Sequence, residues 1–381
     1  MQIYLDNNAT TPLYREVAER MSPFLSEFAG NASSLHETGR RAREAIEAAR
    51  SQVAGLIGAS SEEIVFTSGG TEANNLALRG CSLMASSPVH IITSDIEHHS
   101  VLHCAAAMAH RGTVSVSYVG CDADGRISPE HVASDLEPRT RLVSVMHANN
   151  ETGIVQPIRD MGSVLRGRGV LFHTDAVQTV GKLPVDVGEL GVDLLSLSAH
   201  KFHGPLGVGA LYVRKGTEIE SLMHGGAQEG GLRPGTYNVP AIVGMGEAAR
   251  LTAFGLEEDR GYIEALTEEL EAGIRKIAPG CVVVGDAVQR LGNTIDVCFP
   301  DEDNHSIAVN LDTLGVAVSV GSACSSGESE PSHVLRAMGI DPVVMGGAVR
   351  FSLGSTNSEQ DVALALKALK TVLGRRRVKS S

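Results

Sequence analysis

Two periodicities run through the chain. Short continuous apolar runs recur at positions 63–67, 90–93, 114–119, 141–146, 170–174, 194–197 and 208–213. Between them apolar residues fall at three- and four-residue steps. The clearest case is Ala42, Ala45, Ile46, Ala49, Val53, Leu56 and Ile57, with Gly58 closing the run. The first pattern is that of strands buried on both faces, the second that of amphipathic helices. Strands of this kind separated by helices predict an α/β fold with a mostly parallel seven-stranded sheet flanked by helices.

After Val213 the pattern changes. A glycine-dense loop, Gly225 to Thr236, is longer than a tight turn, and loops of that length are usually functional or flexible. A helix is predicted from Asn238 to Gly255, then a boundary near Glu257. Beyond it the spacing predicts a helix over 262–277, strands at 282–284 and 294–299, and a helix over 306–314. A strand at 348–353 and a closing helix over 359–373 complete this unit. The expected organisation is a large domain, 15–256, and a smaller α+β domain made of 1–14 with 257–381.

Polar residues gather where the apolar runs of the first unit stop: Gly70-Thr71, His98, Asn150, Asp175, Gln178 and Lys201. In open α/β sheets that edge is where ligands sit. Lys201 follows the run Leu194–Leu197 and is flanked by Ser198 and His200, with Gly204, Gly207 and Gly209 expected to leave room for a ligand. A lysine at the end of a buried strand is either a surface group or an amine seated for Schiff-base chemistry. Its segment resembles the lysine segment of a pyridoxal-phosphate enzyme of the aminotransferase type.

That cofactor needs a fixed set of groups. Lys201 supplies an amine. Asp175 supplies a carboxylate for the ring nitrogen, with a helix N-cap as its other reading. Gly70 and Thr71 at a helix start, with Ser198 and His200, supply donors for a phosphate; Thr71 also reads as a plain N-cap. His98 can stack on a ring, and Asn150 and Gln178 can reach a ring oxygen. Arg350, inside a strand that reads as buried, suits a substrate carboxylate or an internal salt bridge. Of six cysteines, Cys324 alone lies in a run of Gly, Ser and Ala, where a thiol stays accessible. The other five read as inert.

Charge and composition narrow the field further. The net charge of −13, with 32 Lys and Arg against 45 Asp and Glu, argues against a nucleic-acid surface. One basic run, Arg375-Arg376-Arg377 with Lys379, reads as a solvated tail. The start of the chain turns polar at once, and no apolar run approaches the ~20 residues of a membrane span. No C-x-x-C pair is present, so a reduced, cytoplasmic setting is expected. No H-E-x-x-H signature occurs among the 14 histidines, and no metal is expected.

Longer motifs carry a family resemblance. YLDNNATTP, FTSGGTEANN, IEHHSVL, NNETGIVQPI, HTDAVQTVGKLPVD, SLSAHKFHGPLGVGALYV, GSACSSGESEPSHVLRAMG and VRFSLG occur in this order. The chain resembles the NifS/IscS-type cysteine desulfurases, class V aminotransferases of the fold-type I pyridoxal-phosphate group. The resemblance implies pyridoxal 5'-phosphate on Lys201 and a persulfide-forming nucleophile at Cys324. It implies ring contacts from Asp175, His98, Asn150 and Gln178. A phosphate site would comprise Gly70, Thr71, Ser198 and His200, with Thr236 from the second subunit of a homodimer. Arg350, with Asn31, would bind the carboxylate of L-cysteine. The sulfur would pass to an acceptor protein, for iron–sulfur assembly or for thio-modification of tRNA or DNA. Ser355 stands where the family often has Arg. The rival readings are a selenocysteine lyase or another class V aminotransferase or lyase, and an inactive scaffold subunit.

Overall fold

The computed structural model describes residues 2–27, 30–84, 88–321 and 331–377, with side chains through Gly374. Its first strand, β1 (Ile3–Tyr4), is followed by helices α1 (Arg15–Ser26) and α2 (Glu37–Leu56). Then come β2 (Ile64–Thr67), α3 (Gly70–Leu83), β3 (Val89–Ser94), α4 (His99–His110) and β4 (Val114–Val119). β5 (Thr140–Ser144), β6 (Leu171–Asp175), β7 (Leu194–Ser198) and β8 (Gly209–Val213) complete a seven-stranded sheet of order β2-β8-β7-β6-β5-β3-β4. Only β8 runs antiparallel to its neighbours.

Both faces of this sheet are covered, which is why its strands read as continuous apolar runs. Successive residues along a strand point to opposite faces. Ile64 and Phe66, Ile92, Val143, Leu195 and Tyr212 join one core with α2; Val65, Ile91, Leu142, Leu194 and Leu211 join another with α3 and α4. The strand order reverses between β3 and β5, so the loops after these strands diverge and leave a crevice. The residues following β3, β5, β6 and β7 line it.

A further core is built from Ile3, Leu5 and the later part of the chain, including Leu266, Leu270, Ile274, Ile295, Val297 and Phe351. It carries β9 (Val282–Val283), β10 (Thr294–Cys298) and β12 (Ala348–Ser352) in the antiparallel order β12-β10-β9, and β1 paired in parallel with β11 (Val316–Ala317).

The two helices expected at 238–255 and 262–277 are one, Val239–Ile277, of 39 residues. Gly255 and Gly261 suggested a break. Glycine costs a helix only about 1 kcal/mol relative to alanine, and no proline lies between them. The ends are held by different cores, Val239 to Ala249 by the first and Leu266 to Ile274 by the last, while Phe254 midway is 92% exposed.

The loop 225–236 is anchored. Glu229 takes a left-handed conformation (φ 50°) and is buried. Its carboxylate accepts from Arg50 Nη1 and Nη2 at 2.8 and 2.7 Å and from the Phe66 backbone N–H at 2.6 Å. Among the described residues no helix is long and apolar enough to cross a membrane.

Candidate active site

A cavity of about 360 Å³ opens at the C-terminal ends of β3, β5, β6 and β7. Gly70, Thr71, His98, Asn150, Asp175, Gln178, Ser198, His200, Lys201 and Arg350, all singled out from the sequence, line it. Asn31 and Thr236 do not. Asn31 is exposed and its Oδ1 accepts from Ser33 N–H at 2.9 Å; Thr236 is exposed on the loop before the long helix. Cys324 and Lys379 lie outside the described residues.

Asp175 ends β6, beside β7, and is 5% exposed. Its Oδ2 accepts from Asn74 Nδ2 at 2.7 Å and its Oδ1 from Val177 N–H at 3.0 Å. No helix starts at Ala176, so the N-cap reading gives way to a local turn that aims the carboxylate. Asn74 also donates to Ser100 Oγ at 2.8 Å, and Ser100 Oγ lies 2.7 Å from His98 Nδ1. A polar string thus joins Asp175 to His98 along the cavity wall. His98 caps α4 by accepting from Ser100 N–H through Nδ1, which leaves its Nε2 to carry the proton. Burial lowers its pKa, with Asp175 opposing that effect.

The start of α3 faces the same space. Gly69 is its N-cap, with φ 154°, and Gly70 and Thr71 are its first two residues, so Thr71 is not the cap. Their N–H groups have no intrahelical partner. A side chain at Gly70 would place its Cβ 2.7 Å from Val177 Cγ2. Ser198 ends β7, and His200 follows with Nδ1 3.2 Å from Thr10 Oγ1. Burial, then Lys201, pushes the His200 pKa down to about 4, so its imidazole is neutral near pH 7. Gly204 and Gly209 do not border the cavity. They let backbone pass close to Ala199 and Leu197.

Lys201 Nζ donates to the backbone carbonyls of Asn8 and Ala9 at 2.5 and 2.9 Å. Arg350, on β12, is 4% exposed; Nη1 donates to the Asn150 carbonyl at 2.8 Å and Nη2 to Asp6 Oδ1 at 2.7 Å. The internal salt bridge foreseen as a rival reading is therefore present, with Asp6, while Arg350 also borders the cavity.

The early polar turn, readable as an ordinary loop or as the wall of a site, supplies Asn8 and Ala9 to the wall. Further groups in or near the cavity were not singled out. Lys182 donates to Asn8 Oδ1 at 2.6 Å and Gln178 Oε1 at 2.8 Å. Glu97, beside His98, is fully buried and burial pushes its pKa up to about 8. Glu151 accepts from Ser332 Oγ at 2.5 Å, between Gly321 and His333 on the rim. Against the expectation that no His-x-x-x-His helix spacing occurs, His99 and His103 stand at that spacing. On α4 these rings stack at 4.7 Å, with His333 5.0 Å from His99. Among the described residues no group of three is arranged to hold a metal ion. Ser355 is away from the cavity, 2.6 Å from the Tyr14 hydroxyl and 3.4 Å from His203 Nε2.

The five described cysteines are free, and burial raises every one of their thiol pKa values, Cys81 to about 12 and Cys104 and Cys121 to about 11, with Cys281 and Cys298 raised likewise. Cys81 sits inside α3 rather than near a loop.

Comparison with known proteins fits this geometry. Residues 3–364 match the family described as Aminotransferase class-V. This chain belongs to the class-V aminotransferase family. Among its relatives, the cysteine desulfurase IscS of Dictyoglomus turgidum is 46% identical over 376 residues, covering 98% of this chain and 94% of that protein. A solved NifS-like protein superposes with a TM-score of 0.92 at 39% identity, covering 98% of this chain and all of the other. SspA in complex with cysteine is 37% identical with a TM-score of 0.81, covering 94% and 100%. Cysteine desulfurases of this class-V family depend on pyridoxal phosphate. The residues present fit that group: a buried carboxylate, free N–H groups at a helix start, a neutral imidazole on the wall and a primary amine share one cavity.

Proposed function

We propose that this chain is a cysteine desulfurase that converts L-cysteine to L-alanine and stores the sulfur as a persulfide on Cys324. One observation carries the reading: the Lys201 amine, the Asp175 carboxylate and the Arg350 guanidinium border a single cavity. Its relatives are named for this activity.

Pyridoxal phosphate, when bound, supplies an electron sink that weakens the carbon–sulfur bond of the substrate. Asp175, fixed by Asn74 and Val177, would keep a proton on the ring nitrogen. Gly70 and Thr71 N–H groups, Ser198 and His200 would hold the phosphate, with His200 a hydrogen-bonding group without charge near pH 7. His98, its tautomer set by Ser100, would offer its imidazole to the ring. Gln178 and Asn150 would serve the ring oxygen. Arg350 orients the cysteine carboxylate, and Lys201 Nζ takes the Cα proton. The Cys324 thiolate then attacks the substrate sulfur; the S–Cβ bond breaks and its electron pair passes to the carbon product, which is protonated and leaves as alanine. Since the five described thiols are all held protonated, none competes with Cys324 for this role.

The finer organisation belongs to the same reading. Residues 15–256 form the cofactor-binding domain, and 1–14 with 257–381 the smaller one carrying Cys324. Thr236 is exposed and clear of its own cavity, which supports a homodimer in which it reaches the partner's phosphate; Asn31, exposed and likewise clear of the cavity, is proposed to help Arg350 with the cysteine carboxylate in that assembly. The enzyme is cytoplasmic and delivers sulfur to an acceptor protein, either an iron–sulfur scaffold or a thiotransferase. The test is the absorbance of the purified protein before and after L-cysteine with a reductant, with sulfide and alanine assayed together. Equal yields are expected. A cofactor band without sulfide would instead identify a transaminase or another lyase, and no band would leave the scaffold reading.

A further inference from the structure

A lysine whose amine is enclosed, with no carboxylate beside it, is costly to keep charged. Lys182 is half-buried and lines a small cavity of about 40 Å³ together with Lys201, His203, Asp259 and Arg260, and among the described residues no carboxylate lies within salt-bridge distance of its amine. Burial first, and then the cations Lys201 and Arg350, push its pKa well down. Lys182 donates to two side-chain acceptors, Asn8 Oδ1 at 2.6 Å and Gln178 Oε1 at 2.8 Å.

Those bonds determine how two amides stand. With its oxygen turned to Lys182, Gln178 must place its NH₂ on the other side. One N–H goes to the Asn8 carbonyl at 3.0 Å, and the second is left for the cavity that Gln178 borders. Asn8 is held from several directions. Its Oδ1 also accepts from Asn293 at 3.2 Å, and its Nδ2 donates to Thr294 Oγ1 at 2.9 Å and to the Asn150 carbonyl at 3.3 Å. The same Asn8 carbonyl receives Lys201 Nζ at 2.5 Å.

We propose that Lys182 is a positioning residue of the reaction centre: by occupying Gln178 Oε1 and Asn8 Oδ1 it makes Gln178 present N–H, not C=O, to the ring oxygen of pyridoxal phosphate, and keeps the Asn8 carbonyl under Lys201 Nζ. The proposal rests on the reading of Lys201 as the cofactor-bearing lysine. Without Lys182 the Gln178 amide loses the donor that holds its Oε1, and only its bond to the Asn8 carbonyl still keeps its N–H toward the cavity. Lys182→Met keeps the length of the side chain and removes both donors.

The experiment uses full-length holoenzyme as wild type, Lys182→Met, Gln178→Leu and the double variant. The pH midpoint of the visible cofactor band is titrated, and borohydride trapping with peptide mapping identifies the lysine that carries the cofactor. Lys182→Met is expected to raise the midpoint by about one pH unit, the equivalent of one lost hydrogen bond to a charged oxygen. The double variant is expected at the Gln178→Leu midpoint, because both changes remove the same donor. A merely structural lysine would lower the melting temperature and leave the midpoint in place. An unchanged midpoint with the cofactor still on Lys201, or shifts that add, would overturn the proposal. Trapping on Lys182 in the wild type would overturn the reading of Lys201 itself. If Lys182→Met does not fold, Lys182→Gln, whose amide is too short to span both acceptors, carries the same titration with the same expected rise.

Discussion

Two arginines are buried among the described residues, and they are held differently. Arg50 spends every nitrogen: Nε on Glu47, Nη1 on the Ile64 carbonyl and Glu229, Nη2 on Glu229, with Phe66 4.7 Å beneath the guanidinium. Arg350 spends Nη1 on the Asn150 carbonyl and Nη2 on Asp6, and its Nε has no partner. The carboxylates differ as well, the Glu229 side chain being 1% exposed and that of Asp6 20%. A guanidinium bonded through every nitrogen is tied into the structure around it. One with a spare donor, an open side and a partner that water can also satisfy is able to bind a carboxylate. Arg50 ties a glycine-rich loop to the sheet edge, and Arg350 borders the cavity.

The largest effect is expected where the cavity side of this contrast reaches the reaction. Cys324→Ala should remove sulfide formation from L-cysteine entirely while the cofactor absorbance persists; desulfuration above background in a combined sulfide and alanine assay would move the nucleophile elsewhere. Next come the arginines. Arg350→Met should lower kcat/KM for L-cysteine about 100-fold, from the loss of charge-assisted hydrogen bonds worth about 3 kcal/mol, with little change in urea midpoint. Arg50→Met should do the reverse, costing about 3–5 kcal/mol of stability by stranding Glu229, with kcat/KM of the folded fraction nearly unchanged. Urea unfolding and steady-state kinetics on both variants decide it. Matching profiles would break the comparison.

A smaller effect concerns pH. Glu97 has its folded pKa raised by burial to about 8 from the ordinary 4.5. The unfolded chain therefore releases this proton first, so the contribution of Glu97 is fully present below pH 4.5 and declines as pH rises towards 8. Glu97→Gln should flatten that decline in urea unfolding measured at pH 5 and pH 8; an unaltered slope would show that Glu97 ionises normally. The smallest effect is at Ser355, whose bond to Tyr14 predicts a loss of about 1 kcal/mol in Ser355→Ala, read by the same unfolding assay, and unaltered kinetics.

The strand ends that build the cavity were legible because they depend on local order. An apolar run marks a buried strand, its last residue marks the edge, and the βαβ connection sends successive strands the same way, so Asp175 and Lys201 fall on one edge of the sheet. Legibility failed where the decisive feature was pairing across the chain. The glycine-dense loop looked free, yet Glu229 finds Arg50, 179 positions earlier. The long helix looked broken at Gly255 and Gly261, yet two separate cores hold its ends.

By itself, the sequence determined the α/β class, the position of the catalytic edge and the identity of the groups with chemical capacity, since periodicity and residue type act over a few positions. Only the tertiary structure decided how those groups are held. Asn8 meets Lys182 and Lys201 across more than 170 residues, Asn74 links Asp175 to His98 through Ser100, and Asp6 takes one end of Arg350. It also decided how these groups titrate, because burial lowers the pKa of Lys182 and His200 and raises that of Glu97, and burial is a property of the packed chain.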